Sequence, residues 1–314
     1  MSAVGVLALI PLPDATLEAL RRDYALHYLP EGFAESWPHG FDPAQLRAVV
    51  TNGSTGLSDA QMASLHALEI VSAFGAGYEN VDVAAAARRS VVVTHAPGAN
   101  AATVADHAIG LLLALARGYA PLTGAVRAGH WLTSRSERPT LTGARLGVVG
   151  MGRIGRLIAA RALGFDIALG YHARGPHVDA PGRYYAQLTE LAAESDFLVI
   201  ACNGGPATKH LVDRDVLQAL GPHGYVVNVS RGSVLDTQAL LDALANRAIA
   251  GAGLDVIEHE PEVPHAMLDH PDVLVTPHIA GRSPASLLAQ RDALLASLSQ
   301  HFTRRPVEFA VRAA

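Results

Sequence analysis

The sequence has one cysteine in 314 residues, and this scarcity narrows the kinds of protein that it can encode. A single thiol cannot build an internal disulfide framework, so the small disulfide-stabilised secreted folds are excluded. The same scarcity fits a reducing compartment, and we expect the protein to be cytoplasmic. We interpret Cys202 as a buried residue at the end of a strand and not as a nucleophile.

Basic clusters and long apolar segments are also scarce. The formal net charge is -5 at pH 7, and no basic cluster resembles a surface that follows nucleic-acid phosphates. The apolar residues 4–10 are few and lack a basic N-terminal region, so they predict a first buried strand and not a signal peptide. Residues 110–116 are bracketed too closely by charged residues for a membrane span and predict a helix buried between two packed units. We recognise no internal repeat and no appended regulatory module.

What the chain does contain is a regular alternation of short apolar runs and helical stretches. Half of the residues are hydrophobic and 17% are charged, so large cores can be buried. The alternation is typical of parallel sheets covered on both faces. The predicted strands are 5–10, 24–28, 48–51, 70–74, 91–94, 145–149, 167–171, 197–201, 225–229, 251–254 and 273–276. The predicted helices are 14–22, 59–67, 83–89, 101–119, 156–163, 188–194, 213–220, 238–245 and 284–302.

The strongest motif is a glycine run between the predicted strand 145–149 and the predicted helix 156–163, Gly150-Met151-Gly152-Arg153-Ile154-Gly155. A strand followed by G-x-G-x-x-G and a helix is the fingerprint of a dinucleotide site. Gly150 allows the tight turn, Gly152 lets the backbone approach a pyrophosphate, and Gly155 lets the helix pack closely on the sheet. The pyrophosphate is expected at the helix N-terminus, where free N–H groups and the helix dipole favour an anion.

The position of this motif predicts the domain organisation. Six strands with intervening helices complete a Rossmann-type unit, yet five strands precede it and the last helix has no place in it. We therefore predict an α/β protein with two doubly wound parallel-sheet domains. A dinucleotide-binding Rossmann domain over 99–283 is inserted into a smaller flavodoxin-like substrate-binding domain made of 1–98 and 284–314.

Charged residues follow the predicted strands of the second half. Arg231, Asp255 and His278 each come after a strand, and Glu260 comes shortly after Asp255. Because ligands of such sheets bind beyond the carboxyl ends of the strands, these side chains are expected over one crevice. Arginine can hold a substrate carboxylate, and histidine can protonate a carbonyl oxygen as hydride reaches the carbon. A neighbouring carboxylate favours the charged histidine. Taken singly, each residue also fits a capping or ion-pairing role.

Together these segments resemble the D-isomer-specific 2-hydroxyacid dehydrogenases over nearly the whole chain. Residues 74–82 resemble that family's substrate-domain glycine loop, and residues 103–117 resemble its first interdomain helix. The remaining motifs match in order at 146–155, 228–236, 253–261 and 276–280. By this resemblance Arg231, Glu260 and His278 are the catalytic residues, with His278 as acid/base and Glu260 as its partner.

The resemblance also implies binding residues. The backbone N–H groups of Ala76 and Gly77 fall where the family holds the substrate carboxylate, together with Arg231 and His278. Asp255 falls where the nicotinamide carboxamide is bound, and no metal is implied. The implied cofactor-binding residues are Thr103, Gly150, Gly152, Arg153, Ile154, Gly155, Arg174 and Asp255.

Two segments depart from the family pattern. The loop Cys202-Asn203-Gly204-Gly205-Pro206 replaces a proline-leading form, so its cofactor contacts stay open. The predicted second strand ends Tyr171-His172-Ala173-Arg174, with Ala173 where NAD-using members place an acid for the ribose 2′-OH. This end resembles the NADP-preferring glyoxylate and hydroxypyruvate reductases, and it predicts NADPH as the cofactor, with NADH as a possible substitute.

Three functional hypotheses follow. The first is an NADPH-dependent reductase of glyoxylate and hydroxypyruvate. The second is a broader NAD(P)-dependent 2-hydroxyacid dehydrogenase or a phosphoglycerate dehydrogenase, although the latter's regulatory domain and second-strand acid are not seen. The third, from another class, is a dinucleotide-sensing regulatory protein. Residues 52–55, Tyr78 and Trp131 are candidate pocket walls. The segment 130–140 is either an ordinary loop or a subunit contact, and resemblance implies a homodimer through 101–139.

Overall fold

The computed structural model describes residues 4–33 and 42–311. By their contacts the residues divide into two units, Met1–Asn100 with Arg282–Ala314 and Ala101–Gly281. We call the first the five-stranded unit and the second the seven-stranded unit, after the sheet that each contains.

Strands and helices alternate throughout both units. The strands are β1 (Gly5–Ala8), β2 (Ala25–Tyr28), β3 (Leu46–Thr51), β4 (Ile70–Ala73), β5 (Val92–Thr94), β6 (Arg145–Val149), β7 (Ala168–His172), β8 (Arg183–Tyr184), β9 (Phe197–Ile200), β10 (Tyr225–Asn228), β11 (Gly251–Leu254) and β12 (Val273–Val275). The α-helices are α1 (Asp14–Asp23), α2 (Asp59–Ala63), α3 (Val83–Arg88), α4 (Ala101–Arg117), α5 (Tyr119–Arg127), α6 (Arg153–Ala162), α7 (Leu188–Ala193), α8 (Arg214–Leu220), α9 (Thr237–Ala245), α10 (His265–Leu268) and α11 (Pro284–Phe302).

The five-stranded unit is a parallel sheet with strand order β2-β1-β3-β4-β5. Successive side chains of a strand point to opposite faces, so Leu7 and Leu9 enter one core while Val6 and Ala8 enter the other. Helix α11 covers the second face through residues that include Leu294. The order 2-1-3-4-5 is the flavodoxin-like arrangement, which confirms the predicted fold of this unit.

The seven-stranded unit is a parallel sheet with strand order β12-β11-β10-β9-β6-β7-β8. From β8 to β11 this is the Rossmann order, and β12 extends it. One face packs against α4 and α6, and the other packs against α7, α8 and α9. The predicted Rossmann fold is thus confirmed, with seven strands where six were predicted. The additional strand, β8, has two residues and is too short to produce a periodic signal.

Several helical boundaries differ from the prediction, among them the end of α2, which lies at Ala63 and not at residue 67. Helix α6 begins at Arg153 and not at residue 156. Gly152, which precedes it, has an extended backbone, whereas the last three residues of the glycine motif before Arg156 are already helical. The predicted helix 101–119 ends at Arg117, since Gly118 is left-handed (φ 63°) and a Cβ there would lie 2.9 Å from the Arg138 guanidinium carbon. Helix α5 follows it, and α5 was not predicted because Pro121 and Gly124 lower its helix propensity.

Helix α4 contains the predicted apolar run 110–116. Its residues Leu111, Leu112, Leu115 and Ala116 are buried in the core of the seven-stranded unit. Across the described residues, no single helix has the length and apolarity needed to cross a membrane. Helices α4 and α5 meet that test only as a pair, which is bent by 53°.

Candidate active site

The candidate catalytic side chains of the seven-stranded unit follow the carboxyl ends of neighbouring strands. Arg231 comes after β10, Asp255 directly after β11, and His278 after β12. Because β10, β11 and β12 are adjacent and parallel, their ends share one edge of the sheet. The structure therefore places these three residues at the edge where open α/β sheets bind ligands.

His278 and Glu260 form a direct pair. The imidazole Nδ1 lies 2.8 Å from Glu260 Oε2, and the other carboxylate oxygen accepts the Ile257 N–H at 3.3 Å. Burial raises the pKa of Glu260, but the hydrogen bond and positive charge of His278 outweigh burial and hold that pKa below its ordinary value. The charge of Arg231 contributes to the same lowering, so both other residues of the predicted triad act electrostatically on Glu260.

Arg231 is held by its own strand-end turn. Asn228 donates to the Arg231 carbonyl at 3.0 Å and accepts the Ser230 N–H at 3.0 Å. The guanidinium Nη1 donates to the Ser230 carbonyl at 2.7 Å. The next residue, Gly232, has no room for a side chain, because a Cβ would lie 2.0 Å from the Ile257 carbonyl carbon. This close approach brings the Arg231 turn against the segment that carries Glu260.

The loop after β9, which departs from the family pattern, also contacts Arg231. A Cβ on Gly204 would lie 2.6 Å from Arg231 Cγ, so glycine at this position leaves space for the arginine stem. Cys202, two residues earlier, is partly buried, and burial raises the pKa of its thiol. A raised pKa disfavours the thiolate, consistent with a non-nucleophilic role for Cys202.

Asp255 has a role that the sequence did not reveal. Its buried carboxylate accepts the N–H of Ile279 at 2.9 Å, the N–H of Ala280 at 2.9 Å and the hydroxyl of Thr276 at 2.6 Å. These bonds close the turn 276–280, in which His278 adopts a left-handed backbone (φ 51°) that non-glycine residues rarely occupy. Asp255 therefore clamps the backbone that carries His278. The prediction identified Asp255 by its strand-end position, which contains no signal for such a clamp.

A second histidine supports this clamp. The His107 Nε2 lies 3.0 Å from the Thr276 hydroxyl oxygen. Because that hydroxyl already donates to Asp255, it accepts from His107, and the His107 proton is therefore on Nε2. Thr103, predicted beside the cofactor, lies one turn earlier on α4.

The glycine motif shows two different reasons for lacking a side chain. Gly150 has φ 98°, and its Cβ would lie 2.6 Å from the Cys202 backbone nitrogen. A Cβ on Gly155 would lie 1.9 Å from the Gly150 carbonyl oxygen. A Cβ on Gly152 would meet no atom of the described chain within 4 Å, so packing does not require glycine there. Open space at Gly152, before a helix start that no side chain caps, fits a dinucleotide pyrophosphate.

The end of β7 contains the residues that bear on cofactor choice. Ala173 is partly buried against the core, and Arg174 is exposed. In the described part of the chain, no carboxylate lies within ion-pair distance of Arg174. Arg153, at the first position of α6, is also exposed.

The predicted carboxylate-binding loop lies in the five-stranded unit, after β4. Ala76 and Gly77 are partly exposed, and no acceptor among the described residues bonds to either backbone N–H. Two consecutive unpaired N–H groups form an anion-binding surface. The structure thus presents both predicted donors.

Comparison with known proteins identifies the family of proteins to which this fold and these residues at the strand ends belong. Residues 109–280 match the family model for the D-isomer specific 2-hydroxyacid dehydrogenase NAD binding domain. The chain therefore belongs to that family, and it is an NAD(P)-dependent oxidoreductase, as predicted. Among individual proteins, it is 35% identical to hydroxyphenylpyruvate reductase of Plectranthus scutellarioides, covering 98% of each chain.

Two further relatives agree with this placement. Glyoxylate/hydroxypyruvate reductase A of Arabidopsis thaliana is 35% identical, over 96% of this chain and 97% of the relative. The structure resembles NADPH-dependent glyoxylate/hydroxypyruvate reductase of Sinorhizobium meliloti, solved with NADP and malonate. The TM-score is 0.91 at 35% identity, and the match covers 100% of both chains.

Proposed function

We propose that the protein reduces small 2-oxo acids, glyoxylate and hydroxypyruvate first, to 2-hydroxy acids with NADPH. The His278–Glu260 pair carries this proposal, because a histidine fixed by a carboxylate at the strand ends is a proton donor suited to carbonyl reduction. The names of the relatives support the same substrate class, since several of them are named glyoxylate or glyoxylate/hydroxypyruvate reductases.

His278 acts as the general acid. Its Nδ1 donates to Glu260, so the protonated ring has Nε2 left to donate to the substrate carbonyl oxygen, and Nε2 has no partner among the described residues. Glu260 stays ionised because its pKa is lowered, and its negative charge stabilises the imidazolium. After proton transfer the neutral ring keeps the Glu260 bond and its orientation.

Substrate binding uses charge and backbone donors. Arg231 binds the carboxylate and polarises the adjacent carbonyl, since a guanidinium presents two parallel N–H groups. Ala76 and Gly77 add their backbone N–H groups to the carboxylate. The reduced nicotinamide, when bound, supplies the hydride to the carbonyl carbon.

The cofactor is held by the glycine motif and by residues near it. Gly150, Gly152 and Gly155 shape the pyrophosphate turn, and the backbone of Arg153 and Ile154 begins the helix behind it. The remaining proposed contacts are Thr103 and Asp255 at the nicotinamide end and Arg174 at the ribose end. The guanidinium of Arg174 is exposed and has no ion-pair partner among the described residues, which favours a 2′-phosphate, and Ala173 brings no opposing charge.

A broader substrate range is the second candidate. It is favoured by the similarity to hydroxyphenylpyruvate reductase and, at 32% identity, to 2-ketogluconate reductase of Gluconobacter oxydans, whose substrates are larger. With a broader range His278 has the same role as in a reductase of small 2-oxo acids, and only the residues that form the pocket wall differ in effect.

We further propose a cytoplasmic homodimer that pairs through the region 101–139. No residue of helix α5 is buried by the part of the chain that the structure describes, and the segment after it exposes Trp131 (64%) and Leu132 (76%). Large apolar side chains exposed together are typical of subunit contacts. The molecular mass in solution tests this assembly.

The function is tested by steady-state kinetics of the purified chain. Glyoxylate, hydroxypyruvate and hydroxyphenylpyruvate are each assayed with NADPH and NADH. We expect kcat/KM to be highest for the two small acids with NADPH. If none of these acids oxidises NADPH or NADH in the presence of the chain, the proposed substrates are refuted.

Ala173→Asp tests the basis of cofactor choice. A carboxylate at this position repels a 2′-phosphate and can bind the free ribose hydroxyls, so the ratio of kcat/KM for NADPH over NADH should fall at least about tenfold. Ala173→Asn is the uncharged control of similar size. A wild-type preference for NADH would contradict the assignment of Arg174.

A further inference from the structure

Two consecutive residues, His95 and Ala96, hold the loop that presents the Ala76 and Gly77 N–H groups, and each does so through a hydrogen bond to a loop carbonyl. The Ala96 N–H donates to the Gly75 carbonyl at 2.7 Å, and His95 Nδ1 lies 2.8 Å from the Ala76 carbonyl oxygen. All of these residues belong to the five-stranded unit.

These two anchors fix the directions of both N–H groups. The carbonyl of Gly75 and the N–H of Ala76 belong to one peptide plane, and the carbonyl of Ala76 and the N–H of Gly77 belong to the next. Both peptide bonds are trans, so each N–H points away from the carbonyl of its own plane. Because both carbonyls point towards His95 and Ala96, both N–H groups point away from them.

The two anchors differ in their dependence on sequence. The Ala96 bond uses a backbone N–H, which almost any residue supplies. The His95 bond uses a side chain, and a carbonyl only accepts, so the His95 proton must be on Nδ1. The Tyr78 ring meets the His95 ring edge-on, with 4.9 Å between centroids, and restrains its orientation.

We propose that His95 is a positioning residue, which aims the Gly77 N–H at the substrate carboxylate by holding the Ala76 carbonyl. The proposal rests on the proposed function, since it deepens the role of the Ala76–Gly77 loop there. It predicts that substrate affinity depends on a hydrogen-bond donor at the place of Nδ1, and not on an imidazole as such.

Three variants separate the donor from the shape of the side chain. In His95→Asn the amide nitrogen is the same number of bonds from Cα as Nδ1, so the donor is kept. In His95→Leu a methyl group replaces it in a side chain of nearly equal shape. In His95→Gln the amide is one bond further out, so the donor is kept but misplaced.

We expect His95→Leu to raise the KM for glyoxylate about three- to tenfold, the effect of losing one hydrogen bond that orients a charged contact. The kcat should change less, because His278 still delivers the proton. His95→Asn should restore most of the wild-type KM, and His95→Gln should restore little. Equal KM values for the Asn and Leu variants would overturn the proposal. NADPH affinity by fluorescence titration should be unchanged in all three variants, and the thermal unfolding of each variant controls for folding of the five-stranded unit.

A second measurement does not depend on turnover. In spectra of the chain labelled with ¹⁵N-glycine, Gly77→Ala identifies the Gly77 amide resonance. His95→Leu should shift that resonance and His95→Asn should leave it near its wild-type position. An unmoved Gly77 resonance in His95→Leu would refute the anchoring role even if the wild type reduces glyoxylate. If the wild type reduces no 2-oxo acid, the proposed function fails, while the Gly77 resonance still decides whether His95 holds the peptide.

Discussion

Two loops that follow parallel strands present opposite kinds of chemistry. In the seven-stranded unit, Asp255 occupies the backbone N–H groups of Ile279 and Ala280, and the turn presents the side chain of His278. In the five-stranded unit, the carbonyls of the loop after β4 are occupied, and the loop presents its backbone N–H groups. The difference shows that one architecture yields either a titratable side chain or fixed backbone donors, depending on which half of each peptide is tied down.

The largest expected effect comes from removing the side chain that the 276–280 turn presents. His278→Ala should lower kcat about 10²–10⁴-fold, because a general acid acts in the transition state. NADPH affinity should stay near that of the wild type. His223→Ala, which removes an exposed histidine of the same unit, is the matched control. A loss of kcat smaller than about threefold at neutral pH would show that His278 is not the proton donor.

A pair of glycine variants tests whether the seven-stranded unit also uses backbone chemistry. Gly155→Ala should destabilise the fold by about 1–3 kcal/mol or more, since its Cβ would overlap the Gly150 carbonyl. Gly152→Ala should leave the free energy of unfolding nearly unchanged and weaken NADPH binding. Thermal unfolding and fluorescence titration measure the two effects. Equal loss of stability in both variants would contradict the separate roles.

Arg231→Lys tests whether positive charge alone suffices at the side chain proposed to bind the substrate carboxylate. Lysine keeps the charge and loses the planar fork, so kcat/KM for glyoxylate should fall about tenfold or more. Arg214→Lys, at an exposed arginine that pairs with Asp242, is the control. Unchanged kinetics would instead assign Arg231 to holding the turn around Gly232.

The smallest expected effect is on the pH dependence of stability. The pKa of Glu260 is lowered in the folded protein, so its carboxylate adds stability that is complete above the unfolded value, about 4.3, and is lost as pH falls through the folded value. The melting temperature of the wild type should exceed that of Glu260→Gln at neutral pH. This difference should become smaller at acid pH. Asp292→Asn, at an exposed carboxylate, is the control. A difference that widens on acidification would contradict the pairing.

The sequence predicted most of the fold because strands buried on both faces appear as short apolar runs, with longer helical stretches between them. The two-residue strand β8 and the proline-containing helix α5 were missed because neither is long or regular enough to show a period. The site was predicted where charged residues follow strand ends, as at Arg231, Asp255 and His278, with Glu260 shortly after Asp255. The catalytic roles of Arg231, Glu260 and His278 stay predictions.

What could not be predicted are contacts between a side chain and a distant backbone. The clamp by Asp255 joins residues 24 and 25 positions apart, and the His95 bond joins residues 19 positions apart. Such bonds depend on loop geometry after folding and leave no pattern in residue spacing. Gly204 is a similar case, since its contact with Arg231 exists only once two strand ends are adjacent.

The glycine motif has a consequence for how such a chain can change over time. Gly150 and Gly155 are required by the packing of the polypeptide on itself, whereas Gly152 faces open space. In a duplicated copy released from selection for dinucleotide binding, the outer glycines would persist for as long as the sheet folds, and the middle one would be free to drift. A bulkier residue at that single position would then mark a descendant that inherited the architecture and lost the coenzyme.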